Sequence, residues 1–113
     1  MHDRERLELQ REYNEAVEVA LRTEWEELKL FWPALRDAAA NAERDYRDTR
    51  AAFEAGDRRM AVAHARAEWL KLDARMHIMQ ARIDYLANEI QTCTDLEAEY
   101  TSLILGSNEC GAV

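Results

Sequence analysis

The sequence predicts an all-α protein, built as an antiparallel hairpin of two long, coiled-coil-like helices. Ala, Glu, Arg, Leu and Lys supply 61 of the 113 residues, a proportion typical of long helices and coiled coils. Val and Ile, which favour strands, number only eight, beside three Gly and one Pro. We expect one helical domain over residues 1–105 and a flexible tail at residues 106–113.

The first helix, expected at residues 3–55, carries an apolar stripe in alternating steps of four and three. From residue 21 onward the stripe consists of Leu21, Trp25, Leu28, Trp32, Leu35, Ala39, Ala42, Tyr46, Thr49 and Phe53. Before residue 21 the apolar positions change phase and become Leu9, Tyr13, Ala16 and Ala20. This spacing places the members of each set on one helix face, so each set predicts a buried side.

Pro33 lies inside this stripe, and a proline in a helix interior removes a hydrogen bond and bends the axis. The stripe keeps its phase across Pro33, which favours one continuous helix with a kink. The alternative is a true break after Trp32, which would divide the chain into three helices.

The hairpin turn is expected at residues 55–57. Gly56 suits the left-handed position that ends many helices. Asp57 is a favourable N-cap, since its carboxylate lies at the positive end of the next helix dipole. The second helix is therefore expected at residues 58–105.

The second helix has a regular heptad pattern. Its a and d positions are Val62, Ala65, Trp69, Leu72, Met76, Met79, Ile83, Leu86, Ile90, Cys93, Glu97, Tyr100 and Ile104. Twelve of these thirteen positions are apolar, which predicts a coiled-coil seam against the first helix.

A second apolar stripe lies largely opposite this seam. It comprises Met60, Ala63, Ala67, Leu70 and Ala74, and continues to Ala81 and Tyr85. A helix that is apolar on two faces is usually buried further, which favours self-association into a dimeric four-helix bundle, or a fold-back at Pro33. The alternative is a solvated face on which Ala serves as a good helix former.

The charge of the chain limits its partners. The formal net charge is −8 and the pI is about 4.9, which disfavours direct binding to nucleic acid or to an anionic membrane. In a hairpin the two acidic chain ends come together. Glu12, Glu15, Glu97 and Glu99 are therefore candidates for contacts with a basic partner protein. The alternative is that these carboxylates only keep that end soluble.

Residues with catalytic or metal-binding chemistry form no recognisable set, so we expect no enzyme activity, cofactor or metal. The sequence has no Glu-x-x-His pair of the kind that holds metals in helical bundles. Cys93 occupies a d position and is expected to be a small core residue. Glu97 is the one acid at a core position. Three roles are open to Glu97: it binds a metal, it pairs with Arg11 or Arg22 of the first helix, or it lies where the seam frays. We favour pairing or fraying over metal binding.

Among the aromatic residues, Trp25, Trp32 and Trp69 fit the two seams, which favours a role in the core. Phe31 lies beside its stripe and is the better candidate for a partner contact, because aromatic side chains are enriched at interfaces.

The sequence favours a non-enzymatic protein–protein interaction module, such as an adaptor, scaffold or chaperone-like protein, that acts as a homodimer. Two cysteines at no metal spacing and a charged N-terminus without a signal-peptide pattern favour the cytoplasm. The alternative is a small acidic inhibitor that occupies a basic nucleic-acid-binding surface, as some phage anti-defence proteins do. A metal-dependent bundle enzyme is the least favoured reading.

Overall fold

The structure, a computed structural model, describes residues 2–54 and 59–111, with the side chains of residues 3–52 and 59–106. It contains helix α1, His2–Glu54, and helix α2, Arg59–Gly111, each 53 residues long. The two helices pack as a hairpin, and no strand occurs in the described ranges, so the predicted all-α hairpin is confirmed. The turn expected at residues 55–57 lies outside the described residues.

Helix α1 continues through Pro33. The alternative, in which the helix ends after Trp32 and the chain forms three helices, is therefore wrong. Pro33 is exposed, and its ring supplies no N–H for the helical hydrogen bond that another residue would donate at this position. The kink expected at this residue stays a prediction.

Helix α2 extends beyond its expected end at residue 105 and is helical to Gly111. The Gly106 in its path has no positive φ. A glycine inside a helix costs only about 1 kcal/mol relative to alanine, which the surrounding helical residues offset.

The heptad of α2 forms the seam that its spacing predicts. All thirteen a and d positions are buried or half-buried. Burial is deepest between residues 83 and 104, where Leu86 is fully buried beside Ile83, Ile90, Cys93 and Ile104. The long apolar side chains at these positions leave water together, and this burial is the main stabilising contribution to the hairpin.

The stripe of α1 is confirmed from Leu21 to Thr49, where each predicted position is buried or half-buried. The side chain of Phe53 lies outside the described residues. Trp25, Trp32 and Trp69 are half-buried, in agreement with their predicted places in the seams.

The predicted change of phase before Leu21 is wrong. The residues expected to be buried there, Leu9, Tyr13, Ala16 and Ala20, are exposed. The seven-residue spacing instead continues unbroken, through Asn14 and Leu7 in one row and through Glu18 and Arg11 in the other. Arg11, Asn14 and Glu18 fit in the seam because each forms a hydrogen bond with α2. The four apolar residues named above lie on another face of α1 and meet solvent.

The chain divides into two compact units. Unit one comprises Met1–Glu26 and Asp84–Val113, and unit two comprises Glu27–Ile83. In unit two, the rings of Tyr46 and Trp69 stack across the helices, with centroids 5.3 Å apart and planes 17° apart. The guanidinium of Arg36 lies 5.2 Å from the ring centroid of Trp32, which is within range of a cation–π interaction.

Candidate functional site

Unit one contains an ion pair between the helices. Arg11 Nε lies 2.7 Å from Glu97 Oε1 and donates a hydrogen bond to it, while Glu15 Oε1 lies 3.7 Å from the same nitrogen. The hydrogen bond from Arg11 to Glu97 raises the pKa of Arg11 above its ordinary value. The pairing of Glu97 with a first-helix arginine is therefore confirmed, with Arg11 and not Arg22 as the partner.

Two further polar contacts join the helices next to this ion pair. Asn14 Nδ2 donates a hydrogen bond of 2.8 Å to the backbone carbonyl of Cys93. Thr94 Oγ1 donates a hydrogen bond of 2.9 Å to Glu18 Oε1. As the α1 partner advances from Arg11 to Asn14, the α2 partner retreats from 97 to 93, which is the order that antiparallel helices require. Glu18 bonds to Thr94 and not to a residue before 93, so this third contact joins the helices without following that order. The first two contacts show which residues of the two helices lie opposite each other.

The acidic residues expected to meet a partner differ in availability. Glu12, Glu15 and Glu99 are exposed, whereas Glu97 is half-buried and bonded to Arg11. Glu12 and Glu15 line a shallow concavity of about 310 Å³ on α1, together with Glu8 and Arg11. Glu97 is thus committed to joining the helices, and the exposed carboxylates carry the negative charge that meets solvent.

A larger groove of about 690 Å³ opens on a different face of unit one. Its walls and floor are mostly apolar and include Leu9, Tyr13, Val17, Cys93, Leu96 and Tyr100, with Glu5 and Arg6 at the lining as well. Leu9 and Tyr13 are 66% and 74% exposed, so the groove is an open trough rather than an enclosed cavity.

The sequence did not predict the groove, because Leu9 and Tyr13 were expected to be buried in the seam. The signal that finds it is the unbroken seven-residue spacing from Leu21 back to Asn14 and Leu7. Once Asn14 is placed in the seam, Leu9 and Tyr13 must lie on another face of the helix.

The stripe expected to mediate self-association is exposed at every member. Met60 is 85% exposed, and the other members are exposed as well, namely Ala63, Ala67, Leu70 and Ala74. We call these five residues the α2 stripe. Phe31, the predicted partner contact on α1, is 62% exposed and follows the exposed Leu30. The α2 stripe and Phe31 therefore both lie outside the hairpin seam.

Cys93 is buried, and its chemistry follows from that burial. Loss of water around the thiol raises the pKa of Cys93, and the nearby carboxylates Glu18 and Glu89 raise it further. The thiolate, which is the nucleophilic form, is therefore disfavoured. This environment suits the expected role of Cys93 as a small core residue.

The described residues hold no group of three or more His, Cys, Asp or Glu side chains placed to bind a metal ion. In the same part of the chain, neither helix has a stretch apolar and long enough to cross a membrane. Asp73 Oδ2 lies 3.4 Å from His77 Nε2, one helical turn away, with Asp73 half-buried and His77 exposed. Comparison of the chain with protein-family models, curated proteins and solved structures found no match.

Proposed function

We propose that the chain is a cytoplasmic, non-enzymatic protein–protein interaction module that self-associates through the α2 stripe into a homodimeric four-helix bundle. The observation that carries this proposal is the exposure of an apolar stripe on α2 outside the hairpin seam. A helix with two apolar faces is stabilised when both are covered. A symmetric dimer covers the stripe of each copy with the same stripe of the other.

The small buried core supports the same proposal. Six apolar residues of the described chain are buried, whereas eleven large apolar side chains are exposed. Isolated exposed apolar residues are ordinary, but a row at helical spacing is typical of an interface. The alanines of the α2 stripe allow two helices to approach closely, and Met60 and Leu70 supply the apolar area. An adaptor, a scaffold and a chaperone-like protein would all use such an assembly.

Two charges in the α2 stripe are expected to dissociate the dimer. In the Met60→Glu/Leu70→Glu variant, each copy would bury two unpaired carboxylates, so the dimer Kd is expected to rise by more than about 100-fold. Both residues are exposed in the hairpin, so the helicity of the monomer should persist. Sedimentation equilibrium reports the Kd, and circular dichroism reports the helicity.

The matched control is Arg44→Gln/Arg50→Gln, which changes the net charge by the same amount at exposed positions of α1. Its Kd should stay close to that of the wild type. A wild-type chain that sediments as a monomer at about 100 µM would contradict the proposal, as would equal effects of the two double variants.

The charge of unit one favours a second candidate function, namely an inhibitor that occupies the basic nucleic-acid-binding surface of another protein. Residues 1–26 hold eight acidic and four basic residues, and residues 84–113 hold six acidic and no basic residues. A surface of this charge attracts a basic site electrostatically and competes there with phosphates. Exposed Glu12, Glu15 and Glu99 are the side chains available for this role.

Neutralising three of these carboxylates tests the second function while leaving the Arg11–Glu97 pair intact. The Glu12→Gln/Glu15→Gln/Glu99→Gln variant should capture less of a nucleic-acid-binding partner from the native source, and duplex DNA should compete with capture by the wild type. Mass spectrometry of the captured proteins is the measurement. A control with the same charge change in unit two, Asp45→Asn/Asp48→Asn/Glu68→Gln, should retain the partner. Capture that is unaffected by the first variant or by DNA contradicts this function.

A further inference from the structure

The apolar groove of unit one has the form of a trough between two helical ridges. Leu9 and Tyr13 are four residues apart on α1, and Leu96 and Tyr100 are four residues apart on α2. Each pair therefore stacks along one face of its helix, one turn apart. Val17 and Cys93 also line the trough.

We infer that this groove binds one amphipathic helix of a partner protein, with an apolar face toward the groove and a face rich in Lys and Arg toward the surrounding solvent. A third helix in this position turns the helix pair of unit one into a three-helix arrangement. It removes from water the most exposed apolar side chains of the trough, Leu9 and Tyr13.

The shape and spacing of the ridges favour a helix as the occupant. Side chains four apart form ridges, and the ridges of one helix pack into the grooves between the ridges of another. The groove lining on α1 extends from Glu5 to Val17, which is roughly 18 Å of helix, or about three turns of a ligand. Both walls of the groove are helical and offer no strand edge, so the groove does not suit an extended peptide that pairs with the backbone.

The occupant comes from outside these 113 residues. The two helices account for residues 2–111 except an interval of four residues, 55–58, which is much shorter than three helical turns.

Charge complementarity identifies the polar face of the partner helix as basic. Unit one carries fourteen acidic and four basic residues, and its α2 segment has no basic residue to balance Glu89, Asp95 and Glu99. An incoming helix with Lys and Arg is attracted to this field, whereas an acidic helix is repelled. The same field disfavours unit one of a second copy as the occupant, since it would bring two strongly acidic units together.

This inference is separate from self-association, because the groove residues belong to unit one and the α2 stripe belongs to unit two. Loss of dimerisation in the stripe variant leaves the groove unchanged. The two proposals therefore fail or succeed independently.

A titration with designed peptides tests the inference. The probe is a fluorescent helical peptide of about fourteen residues with Leu at positions i, i+3, i+4 and i+7 and with Lys and Arg elsewhere. Fluorescence anisotropy should show saturable binding of this peptide to the wild-type chain. The Leu9→Ala/Tyr13→Ala variant should bind it at least about tenfold more weakly, because it removes two apolar anchors. Both residues are exposed, so the hairpin should keep its helicity.

Three controls decide the outcome. The Val19→Ala/Leu30→Ala variant removes exposed apolar side chains outside the groove and should bind like the wild type. A peptide of the same composition with scrambled order, and an amphipathic peptide with Glu in place of Lys and Arg, should both bind at least about tenfold more weakly. The inference is overturned if no binding occurs up to about 1 mM, if the scrambled or acidic peptide binds equally, or if the Leu9/Tyr13 variant keeps its affinity.

Discussion

The Leu86→Ala variant is expected to lose about 3 kcal/mol of unfolding free energy. Leu86 is the one large side chain that is fully buried within the described residues, and its neighbours in the seam, Ile83 and Ile90, are buried as well. Truncation removes its apolar burial and leaves a cavity that a close-packed seam fills only in part. Urea unfolding followed by circular dichroism measures the loss.

Leu30→Ala provides the matched control, because it is the same substitution at an exposed position of α1. Its effect should stay within about 0.5 kcal/mol. Since both changes raise helix propensity by the same small amount, the difference between them reports burial. Equal losses of unfolding free energy in the two variants would show that burial of Leu86 does not stabilise the seam.

The fold of α2 was predictable from sequence because its seam is apolar at almost every position. Twelve of thirteen a and d residues are apolar, and all thirteen are buried or half-buried in the structure. At the a and d positions hydrophobicity and burial therefore coincide, although apolar residues such as Met60 and Leu70 also lie outside the seam and are exposed. The single acid, Glu97, was also placed correctly in the seam, because the heptad on both sides of it fixes its position.

The first turns of α1 were not predictable by the same rule, because there hydrophobicity and burial diverge. The seam takes Arg11, Asn14 and Glu18, and each of these side chains bonds to α2. A search for apolar residues therefore follows Leu9 and Tyr13, which are exposed. Uninterrupted seven-residue spacing was the better guide, since helix geometry keeps one face toward its partner whatever side chains that face carries.

In the candidate site, too, some features follow from the sequence and others depend on how the helices align. The acidic character of unit one follows directly from the positions of charged residues along the chain. The availability of individual carboxylates does not, because the bond between Arg11 and Glu97 depends on which residues lie opposite in the folded hairpin. The groove depends on this alignment as well, since its two walls belong to residues more than seventy positions apart in sequence.

Asn14 provides the sharpest test of the polar part of the seam. Asn14 is 7% exposed, and its side-chain amide donates a hydrogen bond to the carbonyl of Cys93. Leu has the same number and branching of side-chain heavy atoms as Asn but no amide to bury, so Asn14→Leu should raise the unfolding free energy by about 1 kcal/mol. Asn14→Ala loses both the hydrogen bond and the packing, and should lower it by about 1–2 kcal/mol. Urea unfolding measures both changes.

The opposite signs separate two roles of Asn14. If its hydrogen bond chiefly selects the alignment of the helices, the Leu variant gains stability but loses that selection. Additional amide resonances from residues 7–21 should then appear in its NMR spectrum, because more than one alignment is populated. The exposed Asn88 supplies the matched control, and Asn88→Leu should give one set of resonances and a stability change within about 0.5 kcal/mol. A destabilised Asn14→Leu variant with a single set of resonances would instead show that the hydrogen bond itself stabilises the fold.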